Sequence, residues 1–179
     1  MQPIIIVREW SAQRVNDIIN KMIKITEDLI KNVSEKAKVS PRKRTNYNFH
    51  SSDSAIFQRM LNAAEVGTYI QPHKHENPDK VEVFVILKGR VVVVEFDDAG
   101  KIIDHVVLDP EAGAKAVEIP PRKWHSFIVL KPESVLYEAK EGPYDKNIEK
   151  KFAGWAPSEG SPDSGDFNKK VLAKLNLNE

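Results

Sequence analysis

The sequence predicts an all-β fold, an antiparallel barrel or double sheet, preceded by one amphipathic helix. Short runs rich in Val, Ile, Phe and Tyr recur from about Ala55 to Gly142, separated by Gly, Pro and Asp. The intervals between these runs leave no room for the crossover helices of a parallel sheet. The segment before them has apolar residues at three- and four-residue steps instead, which is the helical period.

Composition limits the possible functions. The 179 residues are 41% hydrophobic and 30% charged, as in a soluble globular domain, and the net charge of +1 gives no general attraction to nucleic acid or membrane. The chain has no cysteine, so disulfides, thiolate metal ligands and a cysteine nucleophile are excluded. The aliphatic run in MQPIIIVREW is too short for a signal peptide or a spanning helix, so we expect a cytoplasmic protein with no membrane partner.

The first predicted element is an amphipathic helix from Ser11 to about Lys38, with Ser11 as its N-cap and Pro41 just beyond its end. Its apolar stripe contains Val15, Ile18, Ile19, Met22, Ile25, Leu29, Ile30 and Val33. We expect this stripe to pack on the domain or on a second subunit, and therefore predict a homodimer.

A basic segment, KAKVSPRKRTNYNFH, follows the helix and is either a solvated linker or part of a binding site. In a binding site, Arg42 and Arg44 would bind phosphate or carboxylate through two hydrogen bonds each. Asn46, Asn48 and His50 alternate after them and could form a polar pocket edge. We predict no nucleic-acid partner, because the rest of the chain cancels the charge and shows no known reading motif.

The strand region contains two further signals. Asp97-Asp98-Ala99-Gly100 predicts a hairpin turn in which Gly100 takes a positive φ. Val91 to Val94 are four consecutive valines, so they put apolar side chains on both faces of a strand. This predicts a strand covered on both faces, with the N-terminal helix or a dimer partner as the outer cover.

We divide the chain into an extension with a strand, helix and basic linker at 1–45, a barrel at 46–145, and an irregular C-terminal tail at 146–179. The tail is rich in Gly, Pro, Ser and charged residues. The weak periodicity of FNKKVLAKLNLNE leaves the prediction of a short helix there undecided.

Four residues form a candidate metal site: His73, His75, Glu82 and His125. His73 and His75 are two apart on an extended run, so both imidazoles project from one face. Glu82 and His125 each begin another apolar run. Three nitrogen donors and one carboxylate suit one divalent transition ion, Fe, Mn, Zn, Ni or Co, and these ligand types do not distinguish among the metals. By strand parity the site lies at the rim of an apolar cavity.

The spacing of these residues resembles the two motifs of the cupin superfamily. Gly67, His73, His75, Glu82 and Gly89 match G(x)5HxH(x)3-4E(x)6G, except that the loop before the glutamate is two or three residues longer. The run IPPRKWH resembles PxGxxH, with Arg122 in place of Gly and Val129 in place of the terminal Asn. This resemblance implies a jelly-roll barrel, a cupin-type double-stranded β-helix, with a three-His, one-Glu metal site. A non-glycine residue would cost about 1 kcal/mol if the turn needs a positive φ.

A closer resemblance, from about Ser40 to Pro162, is to the WbuC family of cupin-fold metalloproteins. It rests on SPRKRTNYNFH, HKH, VEVFVILKGRV, IPPRKWH, EGPYD and FAGWAPSEGSP, in that order. The family occurs with genes for O-antigen and other surface polysaccharides, which implies a small carbohydrate, sugar-nucleotide or anionic ligand. A Lewis-acid isomerase or epimerase is the leading hypothesis. A non-catalytic binding or sensor module and an iron-dependent dioxygenase are the alternatives.

Residues around the site are ranked poorly by sequence. Arg122, together with Arg42, Arg44, Asn46 and Asn48, is a candidate for substrate binding. No dedicated general base is evident in the sequence. Tyr69 and His50 are the catalytic candidates because they are polar neighbours of the candidate metal site, and Gln71 is a supporting polar residue. We interpret His105 as structural or solvent-facing.

Overall fold

Eight strands and two helices form the part of the chain that the computed structural model describes, residues 22–178. In chain order they are α1 (Glu27–Val39), β1 (Arg44–Asn48), β2 (Phe57–Ala64), β3 (His73–Lys74), β4 (Glu82–Phe96), β5 (Ile102–Leu108), β6 (Ala116–Ile119), β7 (Trp124–Glu141), β8 (Lys151–Phe152) and α2 (Ser164–Leu175). Every pairing between these strands is antiparallel, which confirms the predicted all-β architecture.

The two longest strands, β4 and β7, organise the barrel. They pair along nearly their whole length, with register shifts between Ile86 and Val91 where the ribbon bends. On one side of the bend β7 continues the sheet to β2 and β1, and near its start it pairs with β3, which pairs with β8. The bend lets one ribbon contribute to both walls of the barrel.

The barrel interior is filled by one apolar cluster. Its buried members are Ala64, Phe84, Ile86, Val91, Val93, Leu108, Ile119, Phe127, Val129 and Leu136. Phe84 and Ile86 on β4 and Phe127 and Val129 on β7 face the same interior, which confirms the apolar cavity that strand parity predicted beside the site.

The prediction that Val91 to Val94 are covered on both faces is confirmed, but the expected cover is wrong. Val92 and Val94 pack with Ala153, Val171 and Leu172 of the C-terminal segment. Helix α1 packs elsewhere, through Ile30, Val33 and Ala37 against Leu61, Ala63 and Val135. Apolar residues on both faces of a strand show that both faces are covered, but they carry no information about which distant segment provides the cover.

Helix α1 is shorter than predicted. Residues 22–26 are not helical, and the helix begins after Thr26, whose side chain accepts a hydrogen bond from the Leu29 amide. Glu27 and Asp28 in the first turn favour the same start. The predicted N-cap Ser11 and the stripe residues Val15, Ile18 and Ile19 lie outside the described residues. The end at Val39, two residues before Pro41, agrees with the prediction.

The C-terminal part is more ordered than an irregular tail. Strand β8 joins the sheet beside β3, and α2 occupies residues 164–175. Val171 and Leu172 supply the buried face of α2, and Asn176 ends it with φ 54. Near the other expected boundary, β1 begins at Arg44 rather than 46.

The predicted hairpin turn joins β4 to β5. Gly100 has φ +80, and the Asp97 amide donates to the Lys101 carbonyl. Neither described helix combines the length and the apolar character needed to cross a membrane.

Candidate metal centre

The four predicted ligand residues meet at one end of the barrel. Their ligand atoms all lie within 4.8 Å of one another, and His73, His75, Glu82 and His125 are all buried. Donor atoms at about 2.1 Å from one metal ion lie about 3 Å apart when adjacent and about 4 Å apart when opposite. The group is therefore close to the size that a single ion requires.

The orientation of each imidazole is fixed by a backbone carbonyl. Nδ1 of His73 donates to the Gln71 carbonyl at 3.0 Å, and Nδ1 of His125 donates to the Lys123 carbonyl at 2.9 Å. Nδ1 of His75 donates to the Glu149 carbonyl at 2.6 Å. A carbonyl can only accept, so in each neutral ring Nε2 carries the lone pair that a metal needs.

Among the described residues, the Nε2 atoms and the Glu82 carboxylate face one another as acceptors, with too few hydrogen-bond donors between them. Nε2 of His75 is buried and has no hydrogen-bond partner among the described residues. Nε2 of His125 lies 2.9 Å from Oε2 of Glu82, and Nε2 of His75 lies 3.6 Å from the same oxygen. Lone pairs this close need a proton or a cation between them. The residues present therefore fit a divalent ion.

Burial and charge keep His73 in the neutral form. Desolvation lowers the pKa of the His73 imidazole well below its usual value, and the positive charge of Lys150 lowers it further. A metal binds neutral imidazole, so this ligand has no proton to release at neutral pH.

The pKa values of two buried carboxyl groups at the site are shifted in opposite directions. Burial alone would raise the pKa of Glu82, but its close contacts with the His125 and His75 rings and the charge of Lys140 hold it well below its usual value. Burial and the Glu82 charge raise the pKa of Glu138 to about 7. The Asn62 amide donates to Glu138 from β2. One carboxyl group is thus an anionic ligand, and the other can hold a proton.

A buried ionic chain supports the glutamate ligand. Nζ of Lys140 lies 3.8 Å from Oε1 of Glu82, 3.3 Å from Oε1 of Glu138 and 2.7 Å from Oε1 of Glu149. Nζ of Lys80 donates to the other Glu149 oxygen at 2.6 Å. Because Glu149 also accepts from His75 through its carbonyl, the C-terminal segment fixes both a ligand and its ionic neighbours.

A cavity of about 630 Å³ opens from the metal centre. Register places the wall residues in rows across the sheet. Asn48, Met60, Glu138 and Phe84 form one row. Asn46 and Asn62 form the next, which continues to the core residue Leu136. The wall is polar toward β1 and apolar toward the barrel interior. A cavity of this size suits a small-molecule ligand.

The predicted substrate-binding residues separate into two groups. Arg42, Arg44, Asn46 and Asn48 line the cavity. Both arginines bind Glu159, with Nε of Arg42 at 2.7 Å from one carboxylate oxygen and a terminal nitrogen of Arg44 at 2.6 Å from the other.

Arg122 is not part of the cavity wall. It lies on an exposed turn, has φ 65, and binds Asp79 at 2.8 Å. The turn therefore does need a positive φ, with the cost of about 1 kcal/mol expected for a non-glycine residue.

The two catalytic candidates also differ. Tyr69 is buried, and its hydroxyl donates to the Pro157 carbonyl at 2.7 Å, which makes it a structural donor outside the cavity wall. Its pKa is raised to about 12 by burial. His50 does line the cavity, with Nδ1 3.0 Å from the Arg59 carbonyl oxygen. His105 is exposed, as predicted.

Sequence reasoning missed Glu138 and Lys150, which both line the cavity. Glu138 shares the parity of the core residue Leu136 on β7, but a glutamate in a strand looks like a surface residue until the barrel closes around it. Lys150 lies in a lysine-rich loop, KNIEKKF, where no local pattern separates it from its neighbours.

Comparison with known proteins supports the fold. A family model, a domain of unknown function (DUF6016), matches residues 25–108, and no curated protein matches the sequence significantly. CapF in complex with the inhibitor 3-isopropenyl-tropolone is similar with a TM-score of 0.52 and 22% identity, over 64% of this chain and 32% of CapF.

Two further structures are similar. The capsular polysaccharide assembling protein CapF from Staphylococcus aureus has a TM-score of 0.50 and 18% identity, over 60% of this chain and 28% of that one. A cupin-2 domain from Rhodospirillum rubrum has a TM-score of 0.47 and 17% identity, over 75% and 78%. The chain thus spans about a third of CapF. The fold is that of a cupin β-barrel.

Proposed function

We propose that this chain is a metal-dependent cupin of the WbuC type that acts on a small carbohydrate or sugar nucleotide during the assembly of a surface polysaccharide. One observation carries the metal dependence. Three buried imidazoles and the Glu82 carboxylate converge with their lone pairs facing one another, and Nε2 of His75 has no partner among the described residues.

The residues that would hold the ion are His73, His75, Glu82 and His125. When bound, a divalent ion of this kind supplies a Lewis acid that polarises a carbonyl or hydroxyl group. Its identity among Fe, Mn, Zn, Ni and Co is left to experiment. An isomerase or epimerase uses this chemistry on sugars, so it is the reaction class that we propose.

The cavity wall supplies binding, orientation and a proton-holding group. The side-chain amides of Asn46, Asn48 and Asn62 offer donors and acceptors to sugar hydroxyl groups. Phe84 and Phe127, with ring centroids 5.7 Å apart, close the apolar end and exclude water there. Glu138 lies on the wall between these two regions, where its carboxyl group can hydrogen-bond a ligand.

The polysaccharide context rests on two likenesses. The motifs from Ser40 to Pro162 resemble the WbuC family, and the fold is similar to that of a capsular polysaccharide assembling protein. We further propose that the protein is a cytoplasmic homodimer.

The experiment is a turnover assay with metal-loaded protein. Nucleoside-diphosphate sugars are incubated in D2O, and solvent deuterium entering a carbon–hydrogen bond is followed by NMR. We expect exchange with wild type and with His105→Ala, whose histidine is exposed, and a loss of at least about 100-fold in His75→Ala. Equal exchange in wild type and His75→Ala would contradict the proposal.

A metal-loaded protein that binds sugars without exchange or other conversion would instead support the binding-module alternative. Consumption of dioxygen by the iron-loaded form would support the dioxygenase alternative.

A further inference from the structure

The cavity beside the metal centre is lined by four described Lys and Arg side chains: Arg42, Arg44, Lys140 and Lys150. Three of them have anionic partners. The two arginines bind Glu159, and Lys140 is surrounded by Glu82, Glu138 and Glu149. Within residues 22–178, Lys150 alone among the four has neither an ion pair nor a side-chain hydrogen bond.

The backbone directs Lys150 into the cavity. It precedes β8, where Lys151 pairs with Lys74 and Phe152 pairs with His73. Alternation places Lys150 on the same side as Phe152, and both line the cavity. Lys151 points to the other side and binds Glu76 at 2.6 Å.

Lys150 lies close to the metal centre. Its charge makes the largest electrostatic contribution to the lowered pKa of His73. Burial, followed by the charge of Lys140, lowers the pKa of Lys150 itself. The charges of Glu82 and Glu138 oppose this shift, but neither carboxylate forms an ion pair with Lys150. A half-buried ammonium group without an ion pair is destabilising, and a bound anion would remove this cost.

We propose that Lys150 binds the anionic group, a carboxylate or a phosphate, of the small molecule whose other oxygens reach the metal centre. The ligand is then an acidic polyhydroxylated molecule, because the same cavity carries the amides of Asn46, Asn48 and Asn62 for hydroxyl groups. This inference rests on the proposed function and narrows it to acidic sugars or sugar phosphates. Lys150 thus takes the place of Arg42 and Arg44 as the primary contact for the anion, because both arginines are already paired with Glu159.

The test is isothermal titration calorimetry of metal-loaded protein with three matched probes: glucose, glucuronate and glucose 1-phosphate. We expect one or both acidic probes to bind wild type at least about 10-fold more tightly than glucose. Lys150→Ala should weaken the acidic probe by about 10- to 100-fold and leave glucose unchanged. Lys150→Arg should restore part of the affinity, and Lys151→Ala, the adjacent lysine on the other face, should behave as wild type.

The two acidic probes distinguish a carboxylate from a phosphate ligand. The inference is wrong if neither binds wild type more tightly than glucose does, or if Lys150→Ala and Lys151→Ala give the same affinities. Circular dichroism and metal content, measured on each variant, separate lost binding from lost folding. A wild type without metal would contradict the proposed function, whereas Lys150-dependent binding of an acidic probe to that protein would still support this inference.

Discussion

Glu82 and His125 lie at opposite ends of the β4–β7 ribbon, yet Oε2 of Glu82 and Nε2 of His125 are 2.9 Å apart. Within the ribbon Glu82 pairs with Lys140, and His125 pairs with Glu95. Their side chains meet because the ribbon bends and closes into a barrel. An ion held by both would connect the two ends directly, so metal binding would be coupled to barrel closure.

The cover on the outer face of β4 gives the first prediction. Leu172 on α2 is 4% exposed and belongs to the apolar cluster of Val92 and Val94. Leu172→Ala should lower the free energy of unfolding by about 2–4 kcal/mol, because it leaves a cavity in a packed cluster. Urea denaturation measures the effect. Lys169→Ala on the exposed face of α2 is the control and should change it by less than about 0.5 kcal/mol. Equal effects of the two changes would show that α2 does not cover the strand.

An ion-pair cluster links α1 to the barrel and predicts a pH dependence. Hydrogen bonds from Lys38 and Lys88 lower the pKa of Glu133 to about 2. The unfolded chain has the ordinary value of about 4.5, so the stabilisation is complete above that pH and is lost as the pH falls toward 2. Glu133→Gln should cost at most about 1 kcal/mol at pH 7, because the pairs are solvent-exposed, and nothing near pH 2.

The measurement is urea unfolding of wild type and Glu133→Gln at pH 7 and pH 2.5. Glu111→Gln, at an exposed carboxylate, is the control. A difference that is the same at both pH values would contradict the assigned ion pairs.

Glu138 predicts the opposite pH dependence. Its pKa is about 7 in the folded protein, so between pH 4.5 and 7 the folded state keeps a proton that the unfolded state has released. Stability contributed by this group therefore falls as the pH rises through that range. In metal-free protein, Glu138→Gln should raise the free energy of unfolding at pH 8 by about 1–3 kcal/mol, with no gain below pH 4.5. Glu118→Gln, at an exposed site, should show neither effect. A gain at pH 5 equal to that at pH 8 would refute the explanation.

Local spacing was sufficient to predict the four converging residues of the candidate metal centre, whereas its surroundings depend on distant contacts. His73 and His75 share a face because they are two apart, whereas Glu82 is the first residue of β4 and His125 is the second residue of β7. The cavity residues Glu138 and Lys150 could not be ranked in the same way. Glu138 looks like a surface residue until closure of the barrel places β2 beside β7, and Lys150 depends on how the loop before β8 packs.

The helices show the same limit. Helical periodicity predicted α1 and its end, but the start was set by the Thr26 cap rather than by the apolar stripe. Helix α2 has few apolar residues and a weak period, and its stability comes from docking on Val92 and Val94. Propensity alone therefore left it undecided.

A six-coordinate ion held by four protein ligands would accept two further oxygen atoms, which predicts a ligand class that can be probed without knowing the substrate. Tropolone has two adjacent oxygens, which can chelate a divalent ion. Metal-loaded protein should bind tropolone with a change in its ultraviolet spectrum, and metal-free protein should bind at least about 100-fold more weakly. His105→Ala should match wild type. Equal binding with and without metal would show that tropolone does not bind at the candidate metal centre.

Metal stoichiometry tests the central claim most directly. Wild type, Glu82→Gln, His75→Ala and His105→Ala are dialysed against trace metal, and their content is measured by inductively coupled plasma mass spectrometry. We predict about one divalent ion per chain in wild type and His105→Ala, and a loss of at least about 10-fold in occupancy in the two ligand variants. No bound metal in wild type, or equal content in all four proteins, would contradict the account.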